Sequence, residues 1–378
     1  MTLSNSVMYD IRLKKLAENI VNYGVRCQKG EKVLVEAIGI DYQFVNLVID
    51  AVYDAGGIPF IRILDRRVLR ELINNGNDEA FKFFAKHVGD LMQDVDCYIA
   101  IGGGDNTLEM SDVENEKMQA YSRLFSKPVH SDIRVKQKKW LVMRYPTGAM
   151  AQQAGMSTEA FENYFFEVCG LDYQKMEKQV KPLMELINRT DKVHIKAKDT
   201  DLTFSVKGIG SVACVGHRNL PDGEVYTAPV KNSVNGYITY NAPSLRNGVK
   251  FENVRLEFVD GKIVKATSNY TDLCNKIFDT DEGARYVGEF SFGLNPYIHT
   301  PSGETLFDEK ISGSIHFTPG DSYTLADNGN HSAVHWDLVQ IQTPEYGGGE
   351  IWFDDVLVRK DGRFVLEELF GLNPENLK

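Results

Sequence analysis

The sequence predicts an α/β fold: an N-terminal domain built on a parallel sheet, followed by a mainly antiparallel α+β domain. Three observations lead there. The chain has 378 residues, more than one ordinary core organises. Its first half alternates helical and extended apolar patterns, which is how strands joined by crossover helices read. Near Thr190 the apolar period falls to two, and Asp-Gly pairs begin to punctuate the chain. The boundary is therefore placed at Thr190, giving domains 1–190 and 191–378.

Leu13, Leu16, Ala17, Ile20 and Val21 recur at helical spacing, and Gly24 sits where that helix can stop. Val33, Leu34 and Val35 form the first β-branched run. Phe44, Leu47, Val48, Ala51 and Val52 make a second helical stripe, ended by Gly56 and Gly57, and Ile58, Phe60, Ile61 and Ile63 make the next strand. Strands at 98–101 and 140–143 continue the alternation. Ser157 or Thr158 can cap a further helix, and 174–188 reads as one more. Beyond the boundary, VHIKA and LTFSV flank KDTD as a hairpin, and two further hairpins turn at Asp260-Gly261 and Asp361-Gly362.

Composition removes several classes of function. A formal net charge of −11 argues against general nucleic-acid binding, which needs a concentrated basic surface. The basic group Arg134, Lys136, Lys138 and Lys139 lies just ahead of a strand and reads as a solvated strand entry. The five cysteines are scattered and form no C-x-x-C pair, so neither a disulfide framework nor a thiolate zinc site is expected, and a reducing, cytoplasmic setting is. MTLSNSVMYDIRLKK lacks the apolar core of a signal peptide, and no stretch approaches the ~20 apolar residues of a membrane helix. GGGDN at 102–106 follows a strand but matches neither G-x-G-x-x-G nor G-K-[ST], so it reads as a turn and not a phosphate loop.

Chemistry concentrates late in the chain. His299, His316, His331 and His335 fall close together, among acids in apolar surroundings. In an extended strand His335 and Asp337 point to one face and Trp336 to the other. His316 lies in the apolar run SIHF. Glu289 lies in YVGEFSFG, where a solvated carboxylate would be out of character, and Glu224 follows a turn that delivers it to the start of a strand. Imidazole and carboxylate together suit zinc, cobalt or manganese. Each residue alone has a plainer reading: a hydrogen-bonded core histidine, a turn acid, or, for Glu289, a partner for Arg285. His299 and His331, in polar loop contexts, read as surface residues.

The strings RNLPDGEVYTAP, GEFSFGLNP, LFDEKISGSIHFTPGDSY and NHSAVHWDLV occur in one order across residues 218–339. In them the chain resembles the thermophilic-type metallo-aminopeptidases, peptidase family M29 (the aminopeptidase T, aminopeptidase S and PepS group). GEKVLVEA and DAGGIPFIRI in the first half are compatible with it. The resemblance implies an aminopeptidase with two divalent metal ions per subunit, zinc, cobalt or manganese. Their ligands would be Glu224, Glu289, His316, His335 and Asp337, with Glu289 bridging. It makes Tyr323 the active-site tyrosine and Glu309 the general base, with the adjacent Asp308 as the other candidate for that acid. It further implies peptide substrates with a free N-terminus, broad specificity and a homodimer. A dipeptidase or small-amide amidase would use the same ligands, and a structural metal site or a nucleotide-binding α/β protein are the remaining readings.

Overall fold

The helices of the first half begin at polar residues whose side chains accept from the open backbone amides of the first turn. Asp41 takes the amide of Gln43 at 2.8 Å and starts the helix Tyr42–Asp54; Ser157 takes that of Ala160 at 3.2 Å and starts Thr158–Cys169. Gly24 closes the first helical segment, as its place after the apolar stripe predicts. The computed structural model describes residues 10–378 apart from Asn247. Part of the stretch read for a leader, residues 1–9, lies outside the described residues. The chain divides into two compact units, Met1–Gly170 with Gly216–Leu220, and Leu171–Val215 with Pro221–Lys378.

In the first unit the strands stand in the order Ile58–Leu64, Lys32–Ile38, Cys97–Gly102, Lys139–Arg144 and Asn219–Leu220, all parallel. Lys32–Ile38 is buried at five consecutive positions, the mark of a strand covered on both faces. On one face Leu34 and Tyr98 pack with Val88 and Met92 of the helix Asp78–Asp94 and with Phe125 and Val129 of the helix Ser122–Val135. The parallel α/β expectation holds. The fifth strand is a surprise: Asn219–Leu220 reads as a turn in sequence, yet pairs in register with Val142 and Met143.

The second unit is mainly antiparallel, as the period predicts. Eight strands form one sheet and five another, with a further two-stranded ribbon. The three hairpin turns fall where expected, with Asp199, Asp260 and Asp361 at φ 53°, 48° and 49°. The helices Tyr173–Gln179 and Lys181–Arg189 group with this unit. Sequence reading makes them one helix over 174–188. Pro182 explains the break at Val180: it has no amide to donate, and its ring excludes the carbonyl of the preceding turn, so it sits at the start of a new helix. Phe204 of the larger sheet meets Phe290 and Phe317 of the smaller one, ring centroids 5.1 Å apart in each case. That aromatic layer takes one face of the five-stranded sheet. The opposite face carries the polar residues of the site.

Candidate metal centre

The five-stranded sheet runs Val339–Ile341, Ser314–Pro319, Val287–Gly293, Glu224–Thr227, Val212–Cys214. Its register sets Ser291 opposite His316 on one side and Tyr226 on the other, with Glu289 opposite Thr318. Because side chains alternate, Phe290, Phe292 and Phe317 enter the core while Glu224, Glu289, His316 and Thr318 share the other face. A bulge at Gly288 shifts the register beside Glu289. A Cβ at Gly288 would lie 2.2 Å from the Asp321 carbonyl oxygen, so the bulge admits only glycine. His335 joins through an isolated bridge to Gly320, and Trp336 is buried between Phe251 and Phe278. His335 and Asp337 therefore face the same way with Trp336 opposite, as their spacing of two predicts.

All five expected donors converge. His316 Nε2 lies 3.3 Å from both Glu224 Oε2 and Glu289 Oε1. His335 Nε2 lies 3.3 Å from Glu289 Oε2 and 3.2 Å from Asp337 Oδ1. Glu289 thus turns one oxygen to each histidine and belongs to two donor groups, Glu224–Glu289–His316 and Glu289–His335–Asp337. The rings are fixed from behind: His316 Nδ1 donates to the Glu309 carbonyl at 3.2 Å and His335 Nδ1 to that of Asp321 at 2.8 Å. A carbonyl can only accept, so each ring holds its Nδ1 proton and directs Nε2 at the carboxylates. His335 Nε2 is near two carboxylate oxygens but aligned with neither as a hydrogen bond. Converging buried nitrogen and oxygen atoms, with the His335 nitrogen left unpaired, are the arrangement a cation would complete, and imidazole with carboxylate fits a divalent metal.

The electrostatics agree. Burial opposes the charged form of His316, yet Glu289, Glu224 and Asp337 outweigh it and push the ring up to about 9. His335 is likewise raised against burial, by Asp337 and Glu289. Burial would raise Glu289 and Asp337, but the histidines hold both below the ordinary carboxylate value, and Thr318 donates to Asp337 Oδ1 at 2.9 Å.

Of the two candidate acids, Asp308 is occupied elsewhere: it accepts from the Ser302 amide and hydroxyl at 2.6 and 2.9 Å and from the Gly303 amide at 2.9 Å. Glu309 instead pairs with Lys310, whose Nζ also lies 2.8 Å from Glu224 Oε1. The Tyr323 ring packs against His335 at 4.7 Å between centroids, tilted by 46°. Its phenol is raised by burial and by the negative charge of Glu289, Asp337, Glu309 and Glu224. His299 and His331 are exposed and outside the site. Sequence reading missed Lys310, Ser291 and Thr318. DEK looks like a solvated charge run, and only the register reveals the other two.

Two histidines and three carboxylates that converge on one face of an antiparallel sheet make a candidate site for divalent metal. The chain belongs to the thermophilic metalloprotease family M29, whose family model matches residues 9–364, and is a peptide-bond hydrolase of that family. It is 26% identical over 375 residues to aminopeptidase AmpS of Bacillus subtilis, covering 87% of this chain and 88% of that protein. Aminopeptidase T of Thermus thermophilus is 26% identical over 373 residues, covering 86% and 91%. The solved structure of wild-type AmpT from Thermus thermophilus superposes with a TM-score of 0.79 at 22% identity, covering 94% of this chain and 99% of that one. A 2,5-dihydroxypyridine dioxygenase from Pseudomonas putida shares the fold at a TM-score of 0.61 and 14% identity, covering 96% and 99%. Among the described residues, no helix is long and apolar enough to cross a membrane.

Proposed function

We propose that this protein is an aminopeptidase that releases N-terminal residues from peptides, with broad specificity, using two divalent metal ions held by Glu224, Glu289, His316, His335 and Asp337. One observation carries the reading: Glu289 presents Oε1 to His316 and Oε2 to His335, one carboxylate shared between two donor groups. When bound, zinc, cobalt or manganese would supply an activated water and polarise the scissile carbonyl.

The remaining roles belong to the chain. Glu309, buried at the end of the short helix Thr305–Asp308, takes the proton of the attacking water and returns it to the leaving amine. Burial raises the proton affinity of its carboxylate while Lys310 opposes it, which suits a group that must both accept and give a proton. Tyr323, held protonated, donates to the oxyanion of the tetrahedral intermediate. Asp308, with its oxygens held by Ser302 and Gly303, is assigned to the loop. A cytoplasmic homodimer belongs to the same proposal: the five cysteines are free thiols, as in a reducing compartment, and the dimer rests on the family resemblance.

The test pairs metal content with hydrolysis of Leu-p-nitroanilide and its N-acetylated form, in wild type and His335→Ala. Metal-restored cleavage of the free-amine substrate alone, lost in the variant, is the expected result. Equal cleavage of the blocked substrate, or a restriction to dipeptides, would transfer the chain to the amidases or dipeptidases.

A further inference from the structure

Lys310 has no exposed surface. A lysine so deep is retained only where its charge is matched, because an unpaired buried ammonium is very costly. Here Nζ lies 2.8 Å from Glu224 Oε1 and pairs with Glu309 Oε1. Glu224 is thereby divided. Its Oε1 belongs to the ammonium, while Oε2 faces His316 and accepts from the Ser291 hydroxyl at 3.2 Å. Any cation between Glu224, Glu289 and His316 must share Glu224 with a fixed positive charge on the other oxygen of the same carboxylate.

Among the described residues, the other donor group has no cation in direct contact with its carboxylates. Asp337 is held by a neutral hydroxyl, Thr318, and among the described residues neither Asp337 nor Glu289 is paired with a lysine or arginine. Arg246, the cation on that side, donates to the His335 carbonyl at 3.0 Å and lies over the Trp336 ring; it feels the charge of Asp337 from a distance, but among the described residues it forms no ion pair with a carboxylate of the group. The two halves are alike in donor chemistry and unlike in local charge, and like charges repel more strongly where water is excluded.

We propose that Lys310 makes the two halves unequal: the Glu289–His335–Asp337 half takes a first divalent ion tightly, and the Glu224–Glu289–His316 half takes a second weakly and exchangeably. This rests on the two-ion reading above. It makes the second ion the variable one, so the fully loaded enzyme exists only when free metal is plentiful. The same ammonium lies against the third group of potential donors, Cys214, Asp222 and Glu224, and supplies the positive charge there itself.

The experiment titrates the metal-free full chain with Mn²⁺ by calorimetry, with bound metal counted after dialysis, in wild type, Lys310→Met, Lys310→Arg, His335→Ala and Glu224→Gln. Circular dichroism checks each fold. Wild type is expected to bind two ions per chain, in classes at least tenfold apart. His335→Ala should lose the tight class and Glu224→Gln the weak one. Lys310→Met, nearly equal in length but neutral, should tighten the weak class at least tenfold and leave the tight class in place, while Lys310→Arg keeps the separation. Two equal classes in wild type, or a weak class unchanged or loosened in folded Lys310→Met, overturns the inference while sparing the two-ion reading. One ion or none in wild type overturns both. Should Lys310→Met fail to fold, the ligand variants decide, and the reverse assignment of tight and weak halves overturns the inference.

Discussion

Filling both halves of the site is expected to release at least one proton per chain at pH 7.5, that of His316, with His335 and the raised Glu309 adding to it. Without metal, His316 is held up to about 9 by Glu289, Glu224 and Asp337, so it is ~97% protonated at that pH. His335 is held up by Asp337 and Glu289 in the same way. Glu289 and Asp337 are held below their ordinary values and have no proton to lose. Both Nδ1 protons stay on their rings, donated to the backbone carbonyls, so each ring gives up only the proton on Nε2. Calorimetry in buffers of different ionisation enthalpy measures the number directly. The product of the two binding constants should rise at least tenfold per pH unit between pH 7 and 8, and His335→Ala should lower the number of protons released. Release of well under one proton, or an affinity indifferent to pH in that range, would refute the electrostatic reading of the site. Stability of the metal-free chain should move in the opposite direction. A histidine raised from 6.5 to about 9 stabilises the fold fully below pH 6.5 and loses that contribution as pH rises through 9. The melting temperature of metal-free protein should therefore fall across that window, and saturating metal should abolish the fall.

Three substitutions test the surrounding structure. Gly288→Ala places a methyl group 2.2 Å from the Asp321 carbonyl oxygen and 2.4 Å from that of Gly320; a loss of ~2 kcal/mol or more in urea unfolding, with weaker metal binding, is expected. Thr318→Val removes the hydroxyl 2.9 Å from Asp337 Oδ1 and should weaken metal binding about tenfold or more in chelator competition, with the fold intact. Glu309→Gln should keep full metal content while kcat falls on the order of 10²–10⁴, and near-normal turnover would remove Glu309 from the proton-transfer role.

How much of the structure is legible in the chain follows from range. The Asp-Gly turns, the caps and the alternation of Phe290 and Phe292 with Glu289 and Ser291 are local, and local stereochemistry determines them. The pairing of His335 with Asp337 needs only a spacing of two. By contrast, the meeting of Glu224, Glu289 and His316 depends on the register of three strands separated by long stretches of chain, and a pattern of apolar residues does not specify register. Family resemblance, not periodicity, gathers those three in sequence. Lys310 was hidden because a lysine between Glu309 and Ile311 looks solvated until Glu224 is brought to it. The split of the 174–188 helix was legible, since Pro182 carries the signal within the segment itself.

The strand Asn219–Leu220 has a consequence for how the protein is made. It completes the parallel sheet of the first unit beside Lys139–Arg144, yet it is encoded after Leu171–Val215, which belongs to the second. A nascent chain released at residue 170 or 190 lacks that strand, leaves the 139–144 edge uncovered, and presents a bare ladder to other chains. The first unit therefore cannot finish folding before the opening segment of the second, Leu171–Val215, has been made, and synthesis interleaves the two. Expression of the halves as separate proteins should need residues 216–220 supplied to the first, as a graft or a short peptide in trans.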